Sequence, residues 1–303
     1  MQTRTEVWPA LPLATWKDTR DTLHRWTQVV GKVRLALAPR VNHWWQVPLY
    51  VGARGLTTSA IPYGDGAFEI TFDFIDHVLD IEKSDGATRE IELGPRSVAD
   101  FHREVMATLG ELGIDVGIWT MPVEIENPIR FEEDYLHASY DLDAAHTFWQ
   151  ILLEVDKVLE EFRAPFLGKC SPVHFFWGSF DLAVSRFSGR LAPQREGADS
   201  ITREAYSHEV ISAGFWTGGG AIPDAAFYSY TYPEPPGLQA ASVRPPRAFY
   251  SRELSEFILM YEDARAAESP AAAIREFLES TYEAGATLAN WNRAELERTG
   301  PSR

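Results

Sequence analysis

The sequence predicts an α+β protein made of two helix–sheet–helix halves with mainly antiparallel strands. Three observations carry this. An apolar stripe at helical spacing (Trp16, Leu23, Trp26, Val30, Val33) runs through residues 15–37. A strictly alternating run, Phe68-Glu69-Ile70-Thr71-Phe72-Asp73-Phe74, reads as a strand with four apolar side chains on one face. The same order, long helix then aromatic strands, recurs in the second half.

In chain order, Pro39 ends the first helix, and His43 to Val51 reads as an aromatic, β-branched strand. Gly52 and Gly55 mark a bend, and Tyr63-Gly64-Asp65-Gly66 a turn. His77 to Glu82 and Arg89 to Leu93 form a hairpin around Ser84-Asp85-Gly86. Ser97 opens a helix that Gly113 stops after Leu112. Trp119 to Ile125 reads as a strand, broken by Asn127-Pro128. A helix over 142–162 carries Phe148, Leu152, Val155 and Leu159 inward. Strands are expected over 174–187, 207–216 and 225–232. A Pro-rich connection then leads to helices over 251–264 and 270–291, with the last ten residues frayed.

A chain of 303 residues can bury a large core without staples. We expect one unit over 1–303, with halves at 8–130 and 138–292. The halves align loosely: His43-Trp44-Trp45 leads to Arg54 in one, His174-Phe175-Phe176-Trp177 to Arg186 in the other. An internal pseudo-duplication and a mere likeness of composition both explain this. A net charge of −16 weighs against nucleic acid and anionic lipid as partners. A single cysteine, Cys170, excludes an internal disulfide and a Cys-rich zinc cluster. Met1 to Pro12 lacks an apolar signal core, and no run of about 18 apolar residues could cross a membrane. The cytoplasm is the expected location.

Phosphate-loop, dinucleotide, metalloprotease and nucleophile-elbow motifs are absent, and Gly218-Gly219-Gly220 reads as a turn. The most informative segment is 171–190. Taken as one strand, it puts Phe176, Phe180, Leu182 and Val184 on a core face, with His174 and Arg186 at its ends. Phe175, Trp177, Ser179, Asp181 and Ser185 then share a mixed face. His208, Ser212 and Trp216 share a face of the next strand, and Tyr228, Tyr230 and Tyr232 one of the third. Pooled, Trp177, Ser179, Asp181, His208, Ser212, Trp216, Tyr228 and Tyr230 would line an aromatic pocket with convergent polar groups. Asp181 and His208 are the candidate acid/base pair, and Arg186 or Arg54 the anchor for an anionic group. Ordinary strand packing, and a structural Asp181 paired with Arg186 or Arg190, are the bland alternatives. A metal-free site is expected, with no cofactor. The competing metal set would draw on His43, His174, His208 and Glu209. Glu69 with Asp73, and Glu132-Glu133-Asp134, read as solvated carboxylates, and Cys170 as unreactive.

The run Ser171-Pro172-Val173-His174-Phe175-Phe176-Trp177-Gly178-Ser179-Phe180-Asp181-Leu182-Ala183, ending in Arg186-Phe187-Ser188-Gly189-Arg190, resembles the bacterial domain-of-unknown-function family numbered 5996. Trp8-Pro9-Ala10-Leu11-Pro12, His43-Trp44-Trp45 and the stretch from His208-Glu209 to Trp216 are similar to it as well. The resemblance covers residues 8–291 and implies one unit, but transfers no activity, cofactor or catalytic residue. The leading expectation is a cytosolic enzyme acting on a small, partly apolar or aromatic metabolite. The alternatives are a binding protein without turnover and a structural or interaction subunit whose aromatic patch is covered by another chain, a second copy among the options.

Overall fold

The structure, a computed structural model, describes residues 7–298 apart from Arg195. The α+β expectation holds, with two antiparallel sheets and helices packed on them. Helix α1 (Leu13–Leu37) leads into strands β1 (Tyr50–Val51), β2 (Gly55–Thr57), β3 (Ile61–Tyr63), β4 (Gly66–Asp73), β5 (Val78–Lys83) and β6 (Thr88–Glu92). These form one sheet in the order β1-β2-β4-β5-β6, with β3 also on β4. Helices α2 (Val98–Glu111) and α3 (Leu142–Arg163) follow. The second sheet comprises β7 (His174–Phe176), β8 (Asp181–Leu191), β9 (His208–Trp216), β10 (Ala226–Tyr232), β11 (Phe249–Ser251) and β12 (Glu256–Met260). Its order is β11-β12-β10-β9-β8-β7, and α4 (Ser200–Ala205) lies between β8 and β9. Helices α5 (Tyr261–Arg265), α6 (Pro270–Leu288) and α7 (Arg293–Leu296) follow among the described residues.

The two sheets meet edge to edge. Leu49, just before β1, pairs with Phe175 of β7 through two backbone hydrogen bonds of 2.9 and 2.8 Å. One continuous core runs through both, from Phe68, Ile70, Phe72 and Phe74 to Phe175, Leu182, Phe215 and Phe227.

Helix α1 lies at the centre and is buried on every side from Thr22 to Arg34. Its apolar stripe explains only part of that burial. Its polar side chains instead bind backbone that lacks a strand partner, which removes the penalty for burying both. Gln28 donates to the Val123 carbonyl (2.8 Å) and accepts from the Val123 amide (2.9 Å). Lys32 donates to the Trp119 carbonyl at 3.0 Å. Arg34 donates to the Gln46 and Pro48 carbonyls, both at 2.7 Å.

The same contacts correct two expected strands. Residues 119–125 form an irregular segment held by α1, because Pro122 has no amide to give a ladder. Residues 43–49 begin with a tight turn, in which His43 and Trp44 have φ of 58° and 60°, and only Tyr50–Val51 is strand. Of the helix expected over 251–264, only the stretch from Tyr261 is helical; a turn and the strand Glu256–Met260 precede it. Phe257-Ile258-Leu259 is a continuous apolar run buried within a sheet, a pattern whose period cannot separate helix from strand. The tail is tied down as far as Arg298, whose amide donates to the Pro165 carbonyl at 2.9 Å. Residues 1–6 and 299–303, on which part of the leader and fraying expectations fell, lie outside the described residues.

Candidate functional site

The segment 174–187 is a hairpin, not one strand. Residues 177–180 form the turn, with Phe180 at φ 61°, and β7 folds back on β8. The turn reverses the parity read from the sequence. His174 pairs with Ala183 and Phe176 with Asp181, so both share the face of Asp181, while Phe175 lies on the core side. Registers extend this face across the sheet: Asp181 opposite Trp216, Ala183 opposite Gly214 and then Tyr228, Ser185 opposite Ser212 and then Tyr230. The other face meets α3 and α6.

Asp181, only 6% exposed, is the centre of the polar face. The Ser179 and Tyr228 hydroxyls each donate to one of its carboxyl oxygens. Tyr228 reaches it by lying across β9 where Gly214 has no side chain; a Cβ there would stand 2.8 Å from the Tyr228 oxygen. Tyr228 stacks on Tyr230 (ring centroids 6.3 Å, 9° apart), and the Tyr230 and Tyr206 hydroxyls bond at 2.9 Å. The Ser185 and Ser212 hydroxyls bond at 3.0 Å beside them.

Asp181 acts on two further carboxyls. Glu256 opens β12, and Glu124 stands in the irregular segment held by α1, with φ 54°. Glu124 is exposed as a residue, but its carboxyl end turns in against Gly178, so closely that a Cβ on that glycine would lie 2.5 Å from it. Burial pushes Asp181 up to about 6 even though its two hydroxyl donors pull the other way. Burial and then the Asp181 charge push Glu256 up to about 7 and raise Glu124. No ion pair joins any of the three to a lysine or arginine among the described residues. Burial also raises the Tyr228 and Tyr230 phenols, aided by Asp181 and Tyr206 respectively, which keeps both protonated.

The structure thus brings Asp181, Ser179, Ser212, Trp216, Tyr228 and Tyr230 together on one face. It does not bring in the rest. His208 lies at the far end of β9, roughly 26 Å along the strand from the register of Asp181. The expected Asp181–His208 pair therefore does not form; the His208 ring meets His43 (5.6 Å) and the Ser207 hydroxyl (3.0 Å) instead. Trp177 leaves the face at the turn, packs on Gly31 of α1 and donates to the Val47 carbonyl at 2.7 Å. Arg186 points to the opposite, core face, where it donates to the Phe162 carbonyl and stacks over Phe162 at 3.5 Å and Tyr282 at 4.3 Å. Arg54 belongs to the first sheet and pairs with Asp73 and Asp76. Neither arginine can hold a ligand at Asp181.

The four residues of the metal alternative do not converge. Glu209 faces away from His208 and is held by Arg190 (2.6 Å) and Ser188 (2.9 Å), and His174 stands among Trp45, Tyr50 and Phe176. No group of three metal-ligating side chains occurs among the described residues. Asp73 and Asp134, expected to be solvated, are buried.

Glu256, Glu124 and Tyr206 escaped the sequence reading. Glu256 fell within the segment taken for helix, and nothing local marks Glu124. Tyr206, two residues before His208, carried a usable signal, since aromatic hydroxyls cluster on the neighbouring strand. Two surface hollows, one lined by Ala240, Arg244, Ser280 and Glu283 and one by Tyr63, Phe68, Lys83 and Ile114, lie away from this cluster. Neither gathers buried ionisable groups, so the chemistry points to Asp181. No helix among the described residues is long and apolar enough to cross a membrane.

One family model, described as a family of unknown function (DUF5996), matches residues 8–298. No curated protein and no solved structure matches the chain.

Proposed function

The chain belongs to this DUF5996 family, which lends it no activity, and from the site alone we propose that it binds a small, partly aromatic, neutral or basic metabolite and moves a proton to or from it at Asp181. One observation carries the reading: a buried aspartate with two hydroxyl donors and no cation paired to it among the described residues, shifted to about 6. A carboxyl titrating close to neutrality populates both the acid and the base form, as general acid–base catalysis needs. Tyr228 holds one oxygen and supplies a second exchangeable proton. Tyr230, Trp216 and Tyr228 offer flat apolar walls. Asp181, Glu256 and Glu124 repel anions, so the ligand is neutral or basic. Arg54 and Arg186 have no part in it.

The same reading takes the chain as one unit in the cytoplasm. The continuous core through both sheets supports the first, and the single cysteine agrees with the second.

The test compares the wild-type protein with Asp181→Asn in a cell metabolite extract, followed by mass spectrometry. Wild type should deplete at least one compound and generate a product, and the variant should do so at least about a hundredfold more slowly. Equal depletion by both would remove Asp181 from the chemistry. A compound retained by the protein but never converted would favour binding without turnover.

A further inference from the structure

The same polar face holds a second buried polar group. His174 is 0% exposed, yet neither ring nitrogen has a hydrogen-bond partner among the described residues. Its ring stands edge-on among Trp45 (5.8 Å), Tyr50 (5.6 Å) and Phe176 (5.5 Å). Burial, then the nearby Arg34 and Arg163, hold the imidazole down at about 3, so at neutral pH it carries one N–H donor and one free lone pair. Leaving both unpaired carries the full desolvation penalty of each group with no hydrogen bond to offset it. Apolar side chains would fill this aromatic cage at lower cost, so packing gives no reason for an imidazole.

Register connects this group to Asp181. His174 pairs with Ala183, two residues from Asp181 on β8, so the two are diagonal neighbours on one face, about 7–8 Å apart. Between His174 and Tyr228 the row holds only the small residues Ala183 and Gly214, and the Tyr228 ring lies over Gly214, leaving Ala183 as the low point beside His174. Trp45, Tyr50 and Phe176 around His174, and Tyr228 and Tyr230 beside Asp181 and Ser212, are half-buried, whereas His174, Asp181 and Ser212 are buried.

Resting on the reading of Asp181 given above, we propose that His174 is the second polar contact of that site and selects an arylalkylamine that carries a ring hydroxyl. The amine donates to the Asp181 carboxylate, the ring lies between the aromatic walls, and the hydroxyl bonds the free nitrogen of His174. Glu256 and Glu124 favour the amine and disfavour the corresponding acid. His174 acts here as a specificity-determining residue, not a catalytic one.

Three probes read the two ends separately by calorimetry: tyramine, phenethylamine, which lacks the hydroxyl, and 3-(4-hydroxyphenyl)propionate, which replaces the amine by an acid. Wild type should bind tyramine about tenfold more tightly than phenethylamine, a difference of one buried hydrogen bond, and the acid not measurably. His174→Phe should bring the tyramine-to-phenethylamine ratio close to one, leave phenethylamine unchanged, and hold or raise the Tm. A purely structural histidine would instead lower the Tm and leave the ratio intact. If Asp181→Asn abolishes amine binding while His174→Phe keeps the ratio, the role of His174 fails and the reading of Asp181 stands. If wild type binds none of the three at millimolar concentration, the arylalkylamine assignment fails, and the metabolite-extract comparison judges Asp181 independently. Should His174→Phe not fold, the ring ¹⁵N shifts of His174 in wild type decide: a change on adding tyramine supports the contact, and unchanged shifts overturn it.

Discussion

Two buried aspartates at strand ends show how differently the two sheets use the same residue. Asp73 ends β4 and is 2% exposed. It accepts from the Ile75 and Asp76 amides at 2.8 and 2.9 Å and pairs with Arg54. Burial alone would raise its carboxyl, but the Asp76 amide, Arg54 and the Ile75 amide more than offset this, and it sits below the usual carboxylate range. Asp134 under α2 follows the same pattern, lowered by His137 and Arg25 despite complete burial. Asp181 begins β8, is buried to a similar degree, and has two hydroxyls where the others have amides and cations. The charge decides the contrast. Asp73 and Asp134 are folded around as anions, whereas Asp181 is held where its anion is disfavoured. Only the second arrangement leaves a group free to exchange protons near pH 6.

The largest effect should come from the first class. Asp73→Ala and Asp134→Ala each remove a buried anion that caps backbone amides and meets an arginine, which should cost about 3–5 kcal/mol and lower the Tm by several degrees. A loss below 1 kcal/mol in urea unfolding would erase the distinction between the two classes.

Asp181→Asn should act in the opposite direction, with a pH signature. The folded-state value lies above the ordinary 3.8, so the folded protein holds this proton longer than the unfolded chain does. The contribution of Asp181 to stability is therefore largest below about pH 4 and is lost as pH rises towards 7. Two units correspond to about 3 kcal/mol, and Glu256 adds to the same trend. Asn cannot ionise, so the variant should match wild type near pH 4 and exceed its Tm at pH 8. Asp73 and Asp134, with lowered values, do the reverse: their stabilisation is present above pH 4 and lost on acidification. The wild-type Tm should therefore rise as pH falls from 8 towards 5, then drop steeply. A monotonic fall from pH 8 downward would contradict a raised Asp181.

Gly214→Ala sharpens the comparison from the packing side. The added methyl would meet the Leu182 carbonyl at 2.3 Å and the Tyr228 oxygen at 2.8 Å. It should cost about 1–3 kcal/mol by overpacking and push Tyr228 off Asp181. An unchanged Tm would mean that Tyr228 does not lie across β9.

How much of this was legible depends on the range of the interaction involved. The stripe of α1, the alternation of β4 and the shared faces of β9 and β10 are local patterns, and each survives in the structure. The Asp181 site was legible only in part. Ser212, Trp216, Tyr228 and Tyr230 followed from parity within single strands, but His174 and Phe176 were assigned to the wrong face because the turn at 177–180 carries no proline and only one glycine. Trp177 and Arg186 looked like ligand contacts because aromatic and cationic side chains serve buried packing equally well. Whether Asp181 has a cation was never a local question. It depends on Arg186 pointing to the far side of β8 and on Arg54 being engaged on another sheet.

Tyr228→Phe makes the smallest change and isolates one hydrogen bond. The ring can keep its place over Gly214 and its stack on Tyr230, so only the hydroxyl is lost. Stability should fall by about 1 kcal/mol or less at neutral pH, where Asp181 is largely ionised. The Asp181 carboxyl should respond more than the Tm does. A hydrogen bond donated to the anion lowers an acid's value, and Tyr228 is one of the two side chains that oppose the effect of burial. Without it the carboxyl should titrate higher, measurably so by ¹³C NMR of the side chain. The base form would then be scarcer at neutral pH, and any reaction that needs the Asp181 anion should shift its pH optimum upward in the variant. An unchanged or lowered carboxyl would mean that Tyr228 serves only as a wall, and the proton would then depend on Ser179 alone.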